Sequence, residues 1–330
     1  MQPFGFNVIS ENAKEGVPIA IAGRVMVDIQ NLLTDIGRHI IRSEMLLQNE
    51  IPPEILNKFT LRIGGSSNKG LGSNVKAGSE ELMDVAIKIL FETLNYLGRG
   101  ASGFWVANKF PDPFERVSIA RDLVALNDHL DGNVLVYGPP NDQRQFRKLD
   151  REKLLSYIRS GAERYTVIGK VSSDPRYKGH WNFMNSDAPV SLNPIKKSPK
   201  GMMEKAATSG VVEVMGSVSK NSEGRVLSIN NAESFKEINE VIFYRIITAE
   251  SNLLLVAPLV ASVSYVPGTK MWRMNHSDLG IDVSRPTWDG CVVAFHEEFV
   301  YLYETYVQTN KTFQGDDKKA QALFMTFLPA

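Results

Sequence analysis

The chain has 330 residues, with 37 basic and 37 acidic side chains, no formal net charge and 43% hydrophobic residues. That apolar share excludes wholesale disorder, and the balanced charge excludes a histone-like polycation. A single cysteine, Cys291, excludes a disulfide framework and a zinc site built from several thiolates.

The length predicts two domains, each large enough to bury its own core. The first residues, MQPFGFNVISENAKEG, carry no basic stretch followed by an apolar core and do not read as a secretory signal. The longest apolar run, Leu253 to Val266, spans 14 residues and contains Pro258. It falls short of the roughly 20 residues that a membrane-spanning helix needs and reads as buried core. The expectation is a soluble, cytoplasmic protein with no membrane contact.

The first part of the chain reads helical. Between Ala20 and Gln48, Val25, Ile29, Leu32, Leu33, Ile36 and Ile40 recur at three- and four-residue steps, which places them on one helical face. Arg24, Asp28, Asp35 and Arg42 fall largely off that face, Gly37 weakens the middle, and Pro52-Pro53 closes the segment. A short strand is expected at Phe59 to Ile63. A second helix is predicted from Ser79 to about Leu97, with Gly98 at its C-terminal cap. A third begins where Asp112 can cap, Pro113 fits the first helical position and Glu115 can reach back to the cap amide. It runs to Gly132. Val134 to Gly138 then reads as a strand, and Pro139-Pro140-Asn141-Asp142 as a turn or domain boundary.

After a short helix at Glu152 to Arg159, the pattern shifts towards period two. Thr166 to Val171, Val211 to Val218, Arg225 to Ile229 and Val241 to Ile247 are strand candidates, the middle two forming a hairpin turned by Lys220 to Gly224. Cys291 to Phe295 and Phe299 to Val307 also look extended, although the second fits a helix as well. Asp317 to Leu328 reads as a closing helix. Between Ser172 and Thr208, four prolines and several lysines read as a long basic loop. The expected fold class is α+β. A mainly helical domain covers 1–140, and a β-rich domain covers 141–330 as a small antiparallel barrel or sandwich carrying the loop at 172–208.

Zero net charge hides a partition. Residues 1–141 hold 13 basic and 16 acidic side chains, 142–205 hold 14 and 7, and 206–330 hold 10 and 14. The basic middle segment also interleaves cations with rings in Arg176-Tyr177-Lys178-Gly179-His180-Trp181-Asn182-Phe183. Single-stranded nucleic acid needs that combination, because cations neutralise phosphates while flat rings stack on unpaired bases. Arg176, Tyr177, Lys178, His180, Trp181, Phe183, Lys196 and Lys197 are therefore the candidate contacts. The same residues would suit an acidic protein surface. In the competing reading, Trp181 and Phe183 pack into their own domain and the lysines are merely solvated.

Other constellations point less far. The glycine-rich loop from Gly64 to Asn74 lacks the lysine-hydroxyl pair of a P-loop, since Leu71 follows Gly70, and Val75 stands where a dinucleotide fingerprint needs its third glycine. Of the five histidines, His39 and His129 read as packing residues within helices. His276, Asp278 and His296 could hold a divalent ion if their segments met. Cys291 reads as a buried small hydrophobe. No cofactor follows from these residues. The leading expectation is a binding protein that contacts nucleic acid through the basic, aromatic-bearing segment. The alternatives are a metal-dependent hydrolase or nuclease, and an assembly subunit or homo-oligomer that uses its apolar helices.

Overall fold

A computed structural model describes residues 5–12, 16–61, 80–100, 103–159, 164–195, 201–221, 223–308 and 313–328. The chain divides into two compact units, residues 1–40 with 56–162 and residues 41–55 with 163–330. In chain order the first part supplies β1 (Gly5–Ser10), α1 (Ile19–Met45), α2 (Pro53–Leu56), α3 (Glu80–Gly98), α4 (Gly103–Lys109), α5 (Pro113–His129), β2 (Asn133–Gly138), β3 (Arg144–Arg147) and α6 (Arg151–Arg159).

In the first unit the helical spacing read from the sequence buries Ile29, Leu32, Leu33 and Ile36 completely. Gly37 has a packing role: a Cβ there would run into the ring of Phe59. Phe59 ends a 3₁₀ turn, Asn57–Phe59, instead of opening a strand; Thr60 and Leu61 follow without strand pairing, the Leu61 amide donating to the Gln30 side chain at 2.6 Å, and residues 62–63 of the expected strand lie outside the described residues. The α5 start follows its signal closely, with Asp112 accepting the Phe114 amide at 2.9 Å and Pro113 in the first turn. Glu115 pairs with His39 at 2.8 Å.

That pair belongs to a polar seam between α1 and α5. Asp28 meets His129 at 2.6 Å, and Asp35 accepts from Ser118 and Arg38. Asp28 and Asp35, expected off the buried face, are 5% and 4% exposed because a second helix covers them and supplies partners. His39 and His129 are partly buried, and each is also paired with a carboxylate. Asp122 lies beside Asp35, and burial together with that neighbouring carboxylate pushes its acid up to about 6. An antiparallel sheet in the order β1-β2-β3 completes the described part of this unit.

The second unit contains the barrel. β4 (Arg164–Ser173), β5 (Trp181–Met184), β6 (Val190–Pro194), α7 (Met202–Thr208), β7 (Val211–Lys220) and β8 (Val226–Ile238) follow one another along the chain. The strands close in the order β4-β5-β6-β8-β7, with β4 paired to β7 and one parallel contact, β6 to β8. A closed five-stranded Greek-key barrel with a helix between its third and fourth strands has the connectivity of the OB-fold. The barrel is therefore not wholly antiparallel. The expected long loop at 172–208 is largely structure, since it holds the end of β4, β5, β6 and α7.

Alternation along short strands fills the interior with Val167, Val171, Phe183, Leu192, Val214 and Ile229, and Met203 and Ala206 of α7 join them. Gly169 on β4 is what admits Phe183. A Cβ at that position would overlap the Phe183 ring and lie 2.7 Å from the Met184 carbonyl oxygen.

After the barrel come β9 (Glu240–Ile247), β10 (Asn252–Val266), β11 (Met271–His276), β12 (Ile281–Arg285), α8 (Trp288–Tyr306) and α9 (Gly315–Phe327). The four strands form an antiparallel meander in the order β12-β11-β10-β9, with a register irregularity in β10 between Leu254 and Leu259, where Pro258 sits. Cys291 to Phe295, expected as a strand, lies in α8. Thr287 caps this helix by accepting the Gly290 amide at 3.1 Å, and Cys291, Val292, Phe295 and Phe299 bury one helical face. A short apolar run bounded by polar residues fits either element, and here the cap and the continuing spacing select the helix. Leu253 to Val266 is buried on one face only, since Leu254, Val256 and Val260 are exposed. Among the described residues, no helix is long and apolar enough to cross a membrane.

Candidate nucleic-acid interface

The connection from β4 to β5, residues 174–180, is a compact turn. The Asp174 amide donates to the His180 carbonyl at 2.9 Å, and the His180 amide donates to the Tyr177 carbonyl at 3.2 Å. Gly179 sits at a φ of +82°, a left-handed position that favours glycine. Asp174 accepts the Arg176 amide at 2.8 Å and both ends of its guanidinium at 3.3 Å. That pairing holds the Asp174 carboxyl below the usual carboxylate range and raises the Arg176 guanidinium above its ordinary value.

This turn forms one wall of an open groove of about 510 Å³, with β5 and β6 as its floor. Arg176, Tyr177, His180 and Trp181 line it together with Asn182 and Ser191. Tyr177 is 59% exposed, its ring 5.6 Å from that of His180, and the Arg176 guanidinium lies 5.8 Å from the Tyr177 ring centre. Trp181 is half-buried: it packs against the barrel core and also borders the groove. Cation and rings thus share one surface, as stacking on unpaired bases requires.

Three of the expected contacts need correcting or setting aside. Phe183 is completely buried within the barrel, because strand alternation turns it inward and Gly169 leaves room for its ring. Lys196 and Lys197 lie outside the described residues, as does the loop from Gly64 to Asn74. Lys178 is exposed in the turn.

The sequence reading also missed a row of polar groups beside the groove. Asn182 pairs with Ser191 across β5 and β6, and Ser191 pairs with Ser228 across β6 and β8. Asn193 donates to Asn230 at 2.8 Å, and Asn230 donates to Ser228 at 3.2 Å. The signal was present as polar residues alternating with Phe183 and Leu192, but it lay in a stretch read as loop.

The opposite hairpin, between β7 and β8, is tied down within the same unit. Asn221 organises its turn by accepting the Glu223 and Arg225 amides at 3.1 and 2.9 Å. Arg225 pairs with Glu50 at 2.6 Å, and the Val226 amide donates to the Asn49 side chain at 3.0 Å.

The three metal candidates have different structural roles. His276 caps the 3₁₀ turn after β11, its Nδ1 accepting the Leu279 amide at 3.3 Å, and burial lowers its basicity. Asp278 is exposed in that turn. His296 is completely buried in α8, where its Nδ1 accepts the Ile247 amide at 3.0 Å and its ring stands edge-on to Phe243. Burial pushes His296 down to about 3, which keeps it neutral. Among the described residues, no three His, Cys, Asp or Glu side chains are grouped to hold a metal ion. Cys291 is buried, and its thiol is pushed up to about 12, in keeping with an inert packing residue.

Compared with known proteins, the chain matches no family model, and neither curated proteins nor solved structures give a match.

Proposed function

We propose that the barrel binds single-stranded nucleic acid along the groove walled by the 174–180 turn. The observation that carries this reading is the shared surface of Tyr177, His180, Trp181 and Arg176 over β5 and β6. Barrels of this connectivity use their second and third strands and the flanking loops for oligonucleotides or oligosaccharides, which supports the reading by analogy of fold alone. In this assignment Tyr177 and His180 stack on bases, Trp181 closes the groove floor, and Arg176 and Lys178 face phosphates. Arg176 is already paired with Asp174, so stacking supplies most of the affinity and the salt dependence is shallow. The test is titration of a fluorescent oligothymidylate at low and moderate salt, with a duplex as control. Binding of the single strand that weakens in Tyr177→Ala and Lys178→Ala supports the reading. No binding at low salt, or unchanged affinity in both variants, overturns it.

A second reading, self-assembly, draws on a different surface. β9 is an edge strand of the meander, and Ile242, Tyr244 and Val260 are exposed on the face of β9 and β10 away from Phe243 and Leu259, with Leu254 and Val256 also exposed along β10. Ile242 stands directly opposite Val260 in the register, so these two side chains are contiguous. Contiguous exposed apolar side chains of this kind on a sheet edge mark a surface for association. A second copy pairing β9 to β9 antiparallel about Phe243 would set Ile242 against Tyr244 and extend the sheet. Mass measurement in solution decides this reading, with a strictly monomeric chain counting against it.

A further inference from the structure

We infer that Asn193 and Ser191 read base edges, giving the groove a sequence preference separate from its stacking affinity. The inference rests on the nucleic-acid reading above and concerns residues that the reading itself does not use.

The hydrogen-bond pattern sets which atoms remain for a ligand. Asn193 is exposed, and its amide nitrogen donates both to the Asn230 side-chain oxygen at 2.8 Å and to the Ser191 hydroxyl at 3.4 Å. An amide nitrogen has two hydrogens, so this pair of contacts uses both. Asn230 is in turn held by its own bond to Ser228 at 3.2 Å. The consequence is directional. The Asn193 carbonyl oxygen is left as an acceptor, and the Ser191 hydroxyl, which accepts from Asn193, keeps its proton to donate. An acceptor and a donor side by side on a rigid strand complement the donor and acceptor that a base carries along its pairing edge.

The placement matches. Ser191 lines the groove, one strand away from Trp181, and Asn193 follows two residues along β6 with its side chain on the same face. A base stacked in the groove therefore has its edge towards β6, not towards the charged turn. The hydrogen-bond partners of Asn193, Ser191 and Asn230, are uncharged and contribute little to phosphate attraction. Stacking and backbone charge tolerate any base, whereas hydrogen bonds to an edge do not. Asn230 acts as a positioning residue: it fixes the rotation of the Asn193 amide without reaching the base.

The experiment measures the affinities of fluorescent oligothymidylate, oligodeoxycytidylate and oligodeoxyadenylate for the full chain and for Asn193→Ala, Asn230→Ala and Tyr177→Ala. The expected result is a spread among the three oligonucleotides of about fivefold or more, the scale of one base contact. That spread collapses towards unity in Asn193→Ala, narrows partly in Asn230→Ala and persists in Tyr177→Ala while all three affinities fall. Circular dichroism of each variant checks folding. Equal affinities for the three in the unmodified chain, or the same spread in Asn193→Ala, overturn the inference while leaving nucleic-acid binding intact. Absence of binding to any of the three overturns the underlying reading instead.

Discussion

The carboxylate of Asp289 accepts the backbone N–H groups of Gln48 and Asn49 at 2.7 and 2.8 Å. Those two residues also serve the barrel, since the Gln48 side chain accepts the Ile168 amide at 3.2 Å and the Asn49 side chain accepts the Val226 amide at 3.0 Å. Nearby, the Trp288 ring N–H donates to the Leu46 carbonyl at 2.9 Å. A short strap, 46–50, thereby joins β4 and β8 of the barrel to the first turn of α8. Removing the carboxylate leaves two strap amides without acceptors. Asp289→Ala is expected to cost about 2–6 kcal/mol of unfolding free energy, at about 1–3 kcal/mol for each of the two unsatisfied amides. Denaturant titration measures it, and a loss below about 0.5 kcal/mol would show that the strap is not held in this way.

The same carboxyl makes a pH prediction. Two amide bonds favour its ionised form, but burial outweighs them and pushes its acid up to about 6 from 3.8. Between those values the folded chain binds more protons at this site than the unfolded chain, so this contribution to stability falls as pH rises through the window. Asp289→Asn removes the titration. Unfolding free energies between pH 4 and 6 are expected to slope less negatively with pH in the variant than in the unmodified chain. An unchanged slope contradicts the assignment.

His296 works in the opposite sense. Its value falls from 6.5 to about 3 through burial, so the unfolded chain is the better proton acceptor across that interval. Its contribution is fully present above pH 6.5 and is lost as pH falls towards 3. His296→Gln is expected to flatten the acid limb of the stability profile, whatever its effect at neutral pH. A profile of the same steepness would mean that another group governs acid unfolding.

Packing of the barrel can be separated from ligand contact. Phe183→Ala is expected to cost about 3–5 kcal/mol, as for a fully buried ring. Gly169→Ala is also expected to destabilise, because its methyl group overlaps both the Phe183 ring and the Met184 carbonyl oxygen. Tyr177→Ala, at an exposed ring, should leave the unfolding midpoint nearly unchanged. Thermal melts of the three variants test the contrast, and a Tyr177→Ala loss comparable to that of Phe183→Ala would make Tyr177 a packing residue.

Charge placed on the exposed sheet face tests self-assembly. If copies pair through β9, Ile242→Lys lowers the mass in solution to that of one chain while the fold persists. A mass unaffected by Ile242→Lys removes β9 as the contact.

Much of the architecture was legible because its signals were local. Asp112, Pro113 and Glu115 mark the start of α5, and the three- and four-residue spacing from Val25 to Ile40 marks α1. The seam of Asp28, Asp35, His39 and His129 was not, because a charged residue looks solvent-facing until the helix that pairs with it is in place. β5 and β6 were hidden for another reason. At four and five residues they are too short to establish alternation, and Pro189 and Pro194 at their margins read as loop markers. That error also concealed Asn182, Ser191 and Asn193. The cation-aromatic run was visible as composition, but only the closed barrel separates inward Phe183 from Tyr177 and His180 on the groove.

The most direct measurement is ultraviolet crosslinking of the full chain to a labelled oligothymidylate, with the attached peptides identified by mass spectrometry. Crosslinks concentrated at Tyr177 and Trp181, and abolished by excess unlabelled single strand, are the predicted result. Crosslinks confined to residues away from β5, β6 and the 174–180 turn would contradict the account.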